Sequence, residues 1–139
     1  MSLDELYQKK IMDLVREGRE IGRLENPDAT ARADNPLCGD RVTMDFNLDA
    51  EQRVTETGQR VRGCALCEAA AALIAAEATG LNAAEIAAIA ETVQVYLKGG
   101  DEAALPWTRL SAFAPVRALK ARHECVLLPF KAVAKALGE

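Results

Sequence analysis

Histidine, aromatic residues and basic charge are all scarce in this sequence of 139 residues. It holds one histidine, His123, with one Trp, two Tyr and three Phe. A single histidine excludes any site that needs several imidazole ligands. The 17 Lys and Arg are outnumbered by 21 Asp and Glu, which gives a net charge of −4. A nucleic-acid-binding protein normally presents a basic face, so we expect no nucleic-acid partner.

Long apolar runs and a secretion signal are missing as well. No uninterrupted apolar stretch approaches the ~18 residues of a membrane-spanning helix. The first residues, Met1 to Glu5, lack the basic and then apolar layout of a signal peptide. We therefore expect a cytoplasmic protein without membrane association. Because half of the residues are hydrophobic and 27% are charged, we also expect residues 1–139 to form one globular domain.

Apolar residues recur at helical spacing over much of the chain. Helices are predicted over about 3–18, 65–79, 82–98 and 108–113, with a last helix that ends near residue 137. Proline disrupts the interior of a helix, so we expect Pro129 in the first turn of the last one. That placement puts Cys125 at or just before the N-terminus of this helix.

The middle of the chain alternates between apolar and polar residues. Residues 41–48 do so strictly, which predicts a half-buried strand. Residues 54–62 predict a second strand, in which Gly58 is expected to mark a β-bulge. Residues 29–33 give a third strand if they are extended. We expect an α+β fold, in which a small antiparallel three-stranded sheet is covered on one face by helices.

Three of the four cysteines lie at the ends of predicted elements. Cys38 precedes the first clear strand, Cys64 follows a strand, and Cys125 lies where a loop meets a helix. Backbone N–H groups and a helix dipole at such positions stabilise a thiolate, the form that binds metal and attacks sulfur. In a reducing compartment, four cysteines favour metal binding or reactive thiols over disulfides.

Asp40 follows Cys38 with one glycine between them. A Cys-Gly-Asp turn can point both side chains at one centre. Three thiolates and one carboxylate suit a tetrahedral zinc ion or the outer ligands of an iron–sulfur cluster. The carboxylate is the most exchangeable of these ligands, which suits a site that releases what it holds. The alternative stays open, in which the cysteines are small core residues and Asp40 caps a turn.

Three further residues have two interpretations each. Cys67 forms Cys-x-x-Cys with Cys64, a spacing common in metal and redox sites, yet the same spacing on a helix suits a core residue. We keep both interpretations, core residue and auxiliary thiol. His123 is a spare ligand or a partly exposed side chain near the site. Arg122 either offsets the charge of a thiolate-rich centre or is simply solvated.

Three segments resemble the iron–sulfur cluster assembly scaffolds of the NifU N-terminal, IscU and SufU type. They are Asn-Pro-Leu-Cys-Gly-Asp at 35–40, Gly-Cys at 63–64 before a helix of small residues, and Arg-His-Glu-Cys at 122–125. The resemblance covers essentially the whole chain. It implies that Cys38, Asp40, Cys64 and Cys125 hold zinc, iron or a transient [2Fe–2S] cluster.

The spacing of the cysteines resembles the SufU branch of this family. Sixty residues separate Cys64 from Cys125, and SufU-like members carry an insertion in this interval. Glu124 departs from the family, because IscU-type members have histidine at that position and SufU-type members have a basic residue.

The resemblance also implies partners and a choice of function. A cysteine desulfurase would supply persulfide sulfur, with Cys125 as the possible acceptor, and apo iron–sulfur proteins or carrier proteins would receive the product. Whether the protein is an enzyme stays open. It is either a scaffold or carrier without catalysis, or a zinc-dependent sulfurtransferase. A structural zinc interaction module is the third alternative.

Overall fold

The computed structural model describes residues 2–138, and its elements confirm the predicted α+β fold. In chain order they are α1 Leu3–Arg19, β1 Ala29–Asn35, β2 Asp40–Leu48, β3 Val54–Arg62, α2 Ala65–Glu77, α3 Ala83–Leu97 and α4 His123–Leu137. Three short 3-10 segments, Glu102–Ala104, Thr108–Ala118 and Lys120–Arg122, connect α3 to α4. No helix within residues 2–138 is long and apolar enough to cross a membrane.

The three strands form one antiparallel sheet in the order β1-β2-β3. The extended piece expected at 29–33 is therefore a strand, and it continues to Asn35. Asn35 pairs with Asp40 across the first turn, and Arg41 pairs with Arg62 on the other side of β2. This register brings the turn that contains Cys38 and the end of β3 to the same end of the sheet.

The core lies between one face of the sheet and the helices, as the alternation in 41–48 predicts. Val42, Met44 and Phe46 share that face and are completely buried. Helix α4 packs against β1 and β2, α2 packs against β3, and α1 lies on α2. The alanines of α2 let these neighbours approach closely, since Ala69, Ala70, Ala71 and Ala72 are all buried.

The β-bulge lies elsewhere than at Gly58, so that prediction is wrong. Gly58 pairs regularly with Asp45, and the register shifts where Leu48 pairs with Val54. A Cβ on Gly58 would lie 2.7 Å from the backbone nitrogen of Leu24. Glycine is needed here because the segment that follows α1 crosses β3 at close range.

The prediction for Pro129 is also wrong. Helix α4 begins at His123 and contains Pro129 in its interior. Because proline has no N–H, it cannot donate to the carbonyl of Cys125 four residues earlier. Burial of the apolar face of α4, which includes Pro129 itself, offsets that loss. Cys125 consequently lies within the first turn of the helix instead of before it.

The helix predicted around 108–113 is a 3-10 segment of greater length. It covers Thr108–Ala118 and includes Pro115. Leu110, Phe113 and Val116 are buried, so the segment packs on the core through apolar side chains. Residues 108–118 thus lie against α1 and α3 and lead the chain back towards Cys125.

Candidate metal centre

Cys38 is presented by a tight turn between β1 and β2. The side-chain oxygen of Asn35 accepts a hydrogen bond from the Leu37 N–H at 3.1 Å. The Gly39 N–H donates to the Asn35 carbonyl at 2.8 Å. Gly39 has φ +76°, a conformation that glycine adopts without strain. The motif Asn-Pro-Leu-Cys-Gly-Asp is therefore the sequence of this turn, and it leaves Cys38 exposed.

Asp40 is the first residue of β2 and is only 5% exposed. One carboxylate oxygen accepts a hydrogen bond from the backbone N–H of Cys64 at 3.3 Å, and the other lies 3.6 Å from the Cys64 sulfur. A buried carboxylate requires such partners. Asp40 is thus fixed at the start of α2, in the position that the Cys-Gly-Asp turn predicts.

Gly63 makes room for this carboxylate. A Cβ on Gly63 would lie 2.8 Å from both Cγ and Oδ1 of Asp40. Sequence analysis identified Gly63 only as the residue before Cys64. The role of the glycine depends on a contact between residues far apart in the chain, and no local pattern reveals it.

Cys64 and Cys125 approach the same point from two helices. Cys64 is the N-cap residue of α2, and its side chain makes no capping hydrogen bond. Cys125 lies in the first turn of α4 and is 2% exposed. Both positions bear out the expectation that these cysteines lie at element ends.

The structure brings three of the four predicted ligands into one group, and the fourth, Cys64, contacts Asp40. One donor atom from each of Cys38, Asp40 and Cys125 lies within 4.8 Å of the other two. Cys64 contacts Asp40 on the adjoining side. In a tetrahedral zinc site with Zn–S bonds near 2.3 Å, neighbouring sulfurs lie about 3.8 Å apart. The donor set and the spacing of these three donors therefore suit a thiophilic metal.

The environment of Cys125 opposes ionisation of its thiol. Burial, together with the neighbouring Cys64 thiol and the Asp40 charge, raises the pKa of Cys125 to about 12. The Arg122 guanidinium opposes this rise in the pKa of Cys125. Burial and the neighbouring acidic groups therefore disfavour the Cys125 thiolate that its place at a helix end was expected to stabilise.

Cys67 takes the place of a core residue, which is one of the two interpretations of its sequence position. It is completely buried in the hydrophobic core. Burial raises the pKa of its thiol far above the usual range, and Asp40, Cys64, Cys125 and Cys38 raise it further. Cys67 is thus a core residue that lies close enough to the centre to experience its charges.

His123 is not part of the group of predicted ligands that the structure brings together. Its Nε2 donates to the carbonyls of Val116 and Arg117 at 3.0 and 3.2 Å. The side chain therefore fastens the end of Thr108–Ala118 to the start of α4. This agrees with the interpretation of His123 as a partly exposed side chain near the site, two residues before Cys125.

Comparison with known proteins identifies what the arrangement resembles. The sequence profile described as NifU-like N terminal domain matches residues 6–122. The matched residues include Cys38, Asp40 and Cys64 and end three positions before Cys125. The crystal structure of a nitrogen-fixing NifU-like protein (N-terminal) from Brucella abortus superposes with a TM-score of 0.82 and 33% identity, covering 98% of this chain and 94% of that one.

Two curated proteins are similar over nearly their full lengths. The zinc-dependent sulfurtransferase SufU of Bacillus subtilis is 25% identical over 139 residues, which cover 99% of this chain and 93% of that protein. The iron–sulfur cluster assembly scaffold protein IscU of Thermotoga maritima is 23% identical over 134 residues, 95% of this chain and 92% of that protein. One relative is named a scaffold and the other an enzyme.

Proposed function

The chain belongs to the family of NifU-like N-terminal domains, and from that premise we propose that it is an iron–sulfur cluster assembly protein. Its cargo is a transient [2Fe–2S] cluster, or the iron or zinc that precedes it, on Cys38, Asp40, Cys64 and Cys125. The observation that carries the proposal is the convergence of three of these donors within 4.8 Å, with Cys64 in contact with Asp40.

The ligands differ in how firmly the fold holds them. Asp40 and Cys125 are buried, whereas Cys38 is exposed on a turn. A cluster held in this way is protected on the protein side and open on the side of Cys38. The mixed donor set also combines soft thiolates with one hard carboxylate. This asymmetry supports a site that transfers its cargo to apo iron–sulfur proteins or carrier proteins.

Sulfur would arrive from a cysteine desulfurase as a persulfide. We propose Cys125 as the acceptor, since its sulfur lies within 4.8 Å of donor atoms of Cys38 and Asp40, and since the Arg122 guanidinium opposes the rise in its pKa. A bound divalent cation would supply the positive charge that converts neighbouring thiols into thiolates. The positive charge of Arg122 likewise favours the thiolate form of Cys125.

Anaerobic reconstitution tests the scaffold. Metal-free protein is mixed with ferrous iron and sulfide, and the visible absorption of a bound cluster is recorded. We expect a cluster in the wild type and in Cys67→Ala, and none in Cys38→Ala or Cys64→Ala. Failure of the wild type to form a cluster, with zinc bound tightly instead, would contradict this function.

A zinc-dependent sulfurtransferase is the second candidate. It is favoured by the similarity to SufU over 99% of the chain. In this case Cys125 is a catalytic residue that carries persulfide, and the zinc stays in place through the cycle. Mass spectrometry after incubation with a cysteine desulfurase and cysteine tests it. A Cys125→Ala variant that accepts persulfide and stimulates cysteine turnover at the wild-type rate would contradict it.

A structural zinc module is less well supported. The buried core runs from Leu14 in α1 through β2 to Val133 in α4, so most of it lies away from the ligands. We therefore expect chelation to leave most of the helix content, which circular dichroism measures. Loss of the helical signal on chelation would favour the structural module instead.

The remaining features of the proposal concern the chain as a whole. We propose that residues 1–139 act as one domain, since one continuous hydrophobic cluster joins α1, the sheet, α2, α3 and α4. Its acidic composition supports a protein without a nucleic-acid partner. A cytoplasmic location agrees with a thiol-based site, because thiols stay reduced there.

A further inference from the structure

Cys67 is the cysteine that the proposed ligand set leaves unused, and it lies one helical turn from Cys64. Cys64 is the N-cap residue of α2, and Cys67 is the third residue of the helix. Side chains three residues apart on a helix are neighbours, with Cβ atoms about 5–6 Å apart. We propose that Cys64 and Cys67 form a redox-active dithiol, which reacts with low-molecular-weight disulfides and closes to a Cys64–Cys67 disulfide.

The geometry of Cys64 allows this closure. A disulfide needs Cβ atoms about 3.5–4.5 Å apart, so the pair must approach slightly. Cys64 has extended backbone angles, φ −74° and ψ 167°, and lies outside the regular helix. Its thiol makes no capping bond. Within residues 2–138, the hydrogen-bond partner of this thiol is Asp40. Cys64 can therefore rotate towards Cys67 without unwinding α2.

Burial sets the order of the two steps. Cys64 is partly exposed, whereas Cys67 is completely buried. Of these two thiols, a dissolved disulfide therefore reaches Cys64 first. The Cys64 sulfur attacks one sulfur of glutathione disulfide, a mixed disulfide forms, and the departing glutathione takes up the proton from Cys64. This step consumes one S–S bond and makes one.

Cys67 then resolves the mixed disulfide. Its sulfur attacks the Cys64 sulfur, the bond to glutathione breaks, and the proton of Cys67 leaves with the second glutathione. In total, two cysteine thiols are oxidised and one small disulfide is reduced to two thiols. Cys67 acts within the molecule at high effective concentration, which compensates for a thiol that burial keeps protonated.

The other cysteines are the competitors of Cys67 in this reaction. The sulfurs of Cys38 and Cys125 also lie within 4.8 Å of each other. When a metal is bound, however, Cys38, Cys64 and Cys125 all belong to its proposed ligand set. A disulfide between two of them removes two ligands, whereas a Cys64–Cys67 disulfide removes one. The metal-loaded protein should thus favour the Cys64–Cys67 pair more strongly than the metal-free protein does.

Closure of the dithiol would remove one ligand from the centre. Cys38, Asp40 and Cys125 remain, and three donors hold a tetrahedral ion less tightly than four. Oxidation of the pair would therefore release the metal, and reduction would restore the site. This consequence rests on the proposed function, whereas the disulfide itself does not.

Glutathione disulfide is the probe in a test with two arms, one on metal-free and one on zinc-loaded protein. Wild type is compared with Cys67→Ala and Cys67→Ser, after circular dichroism has verified their helix content. The readouts are intact mass, mapping of disulfide-linked peptides, and zinc captured by a chromogenic chelator. The wild type should yield a Cys64–Cys67 peptide that has lost two hydrogen atoms. Both variants should instead retain glutathione on Cys64.

The two arms separate the proposals. In the zinc-loaded wild type, free zinc should appear at least as fast as the Cys64–Cys67 disulfide, because the first attack already takes Cys64 from the metal. A disulfide that maps to Cys38–Cys125 or Cys64–Cys125, or glutathione that stays on Cys64 in the wild type, would overturn the inference. Protein that never binds zinc would refute the metal centre, while peptide mapping in the metal-free arm would still decide whether the dithiol exists.

Discussion

The carboxylate of Asp40 receives the backbone N–H of Cys64 at 3.3 Å and lies 3.6 Å from its sulfur. These two contacts join the start of β2 to the start of α2, across the end of the sheet. They make Asp40 part of the frame that positions Cys64 as well as a donor in its own right. A side chain at position 63 would lie directly against Asp40. The absence of one at Gly63 therefore leaves room for the carboxylate.

Gly63→Ala should weaken metal binding although it replaces none of the proposed ligands. The new methyl group would lie 2.8 Å from Cγ and Oδ1 of Asp40 and displace the carboxylate. Loss of groups that orient a metal ligand typically costs 10–100-fold in affinity, and we expect a fall of at least about tenfold for zinc. Competition with a chromogenic chelator measures it.

Gly22→Ala is the matched control for this substitution. A Cβ on Gly22 meets nothing within 4 Å, so zinc affinity should stay at the wild-type value. Equal affinity in Gly63→Ala and wild type would show that the Asp40 carboxylate does not contribute to metal binding.

Gly58→Ala should destabilise the fold and leave the centre intact. The added Cβ would lie 2.7 Å from the Leu24 nitrogen and 2.9 Å from the Gly22 carbonyl oxygen, and backbone atoms yield poorly. Overpacking of this kind typically costs about 1–3 kcal/mol. Urea denaturation of metal-free protein should show the loss, again with Gly22→Ala as control. An unchanged midpoint would mean that the segment after α1 moves freely.

Leu37→Ser should impair partner docking and leave stability unchanged. Leu37 is 97% exposed beside Cys38, so removal of its apolar surface costs the folded state little. If the desulfurase docks around the exposed turn, the concentration of protein needed to stimulate cysteine turnover should rise several-fold. Val95→Ser on α3, also exposed at 61%, is the control. An equal effect of both substitutions would argue against docking at this turn.

Acid should destabilise the protein through Asp45. Burial raises the pKa of Asp45, but hydrogen bonds from Arg23, Thr30 and the Leu24 N–H outweigh that effect and leave it below the usual value. A lowered pKa in the folded state gives stability that is fully present above the unfolded pKa of about 3.9. That stability is lost as the pH falls through the folded pKa. Urea midpoints of metal-free protein between neutral and acidic pH measure the loss.

Asp45→Asn isolates this contribution. Asparagine keeps the shape but loses the charge that pairs with Arg23 at 2.6 Å, so the variant should be about 1–3 kcal/mol less stable at neutral pH. Its acid transition should also be shallower than that of the wild type. Asp34→Asn, in an exposed pair with Arg41, should change neither quantity noticeably. Identical acid transitions in wild type and Asp45→Asn would assign the pH dependence to other groups.

Much of the fold was predictable because its signals are local. The alternation from Val42 to Leu48 marks one face of a strand, and that face is buried in the structure. Asn82 and Glu85 form the capping box that starts α3. Pro129 and Gly58 were assigned incorrectly because their roles depend on tertiary packing. The burial of α4 tolerates a proline, and the crossing of Leu24 over β3 requires a glycine.

The candidate site also has features that were predictable from local sequence and features that depend on tertiary packing. The turn that carries Cys38 was predictable from its own residues, and the family resemblance supplied the ligand set of Cys38, Asp40, Cys64 and Cys125. The pKa of Cys125 was not predictable, since it depends on burial and on Cys64 and Asp40 from other elements. The contact of Gly63 with Asp40 is likewise a long-range property.

Metal content per chain tests the central claim most directly. Elemental analysis of protein purified without oxygen would compare wild type with a variant in which Cys38, Cys64 and Cys125 are all alanine. The metal-centre account predicts stoichiometric zinc or iron in the wild type and background levels in the variant, with similar helix content in both. Background metal in the wild type, or equal metal in both proteins, would contradict it.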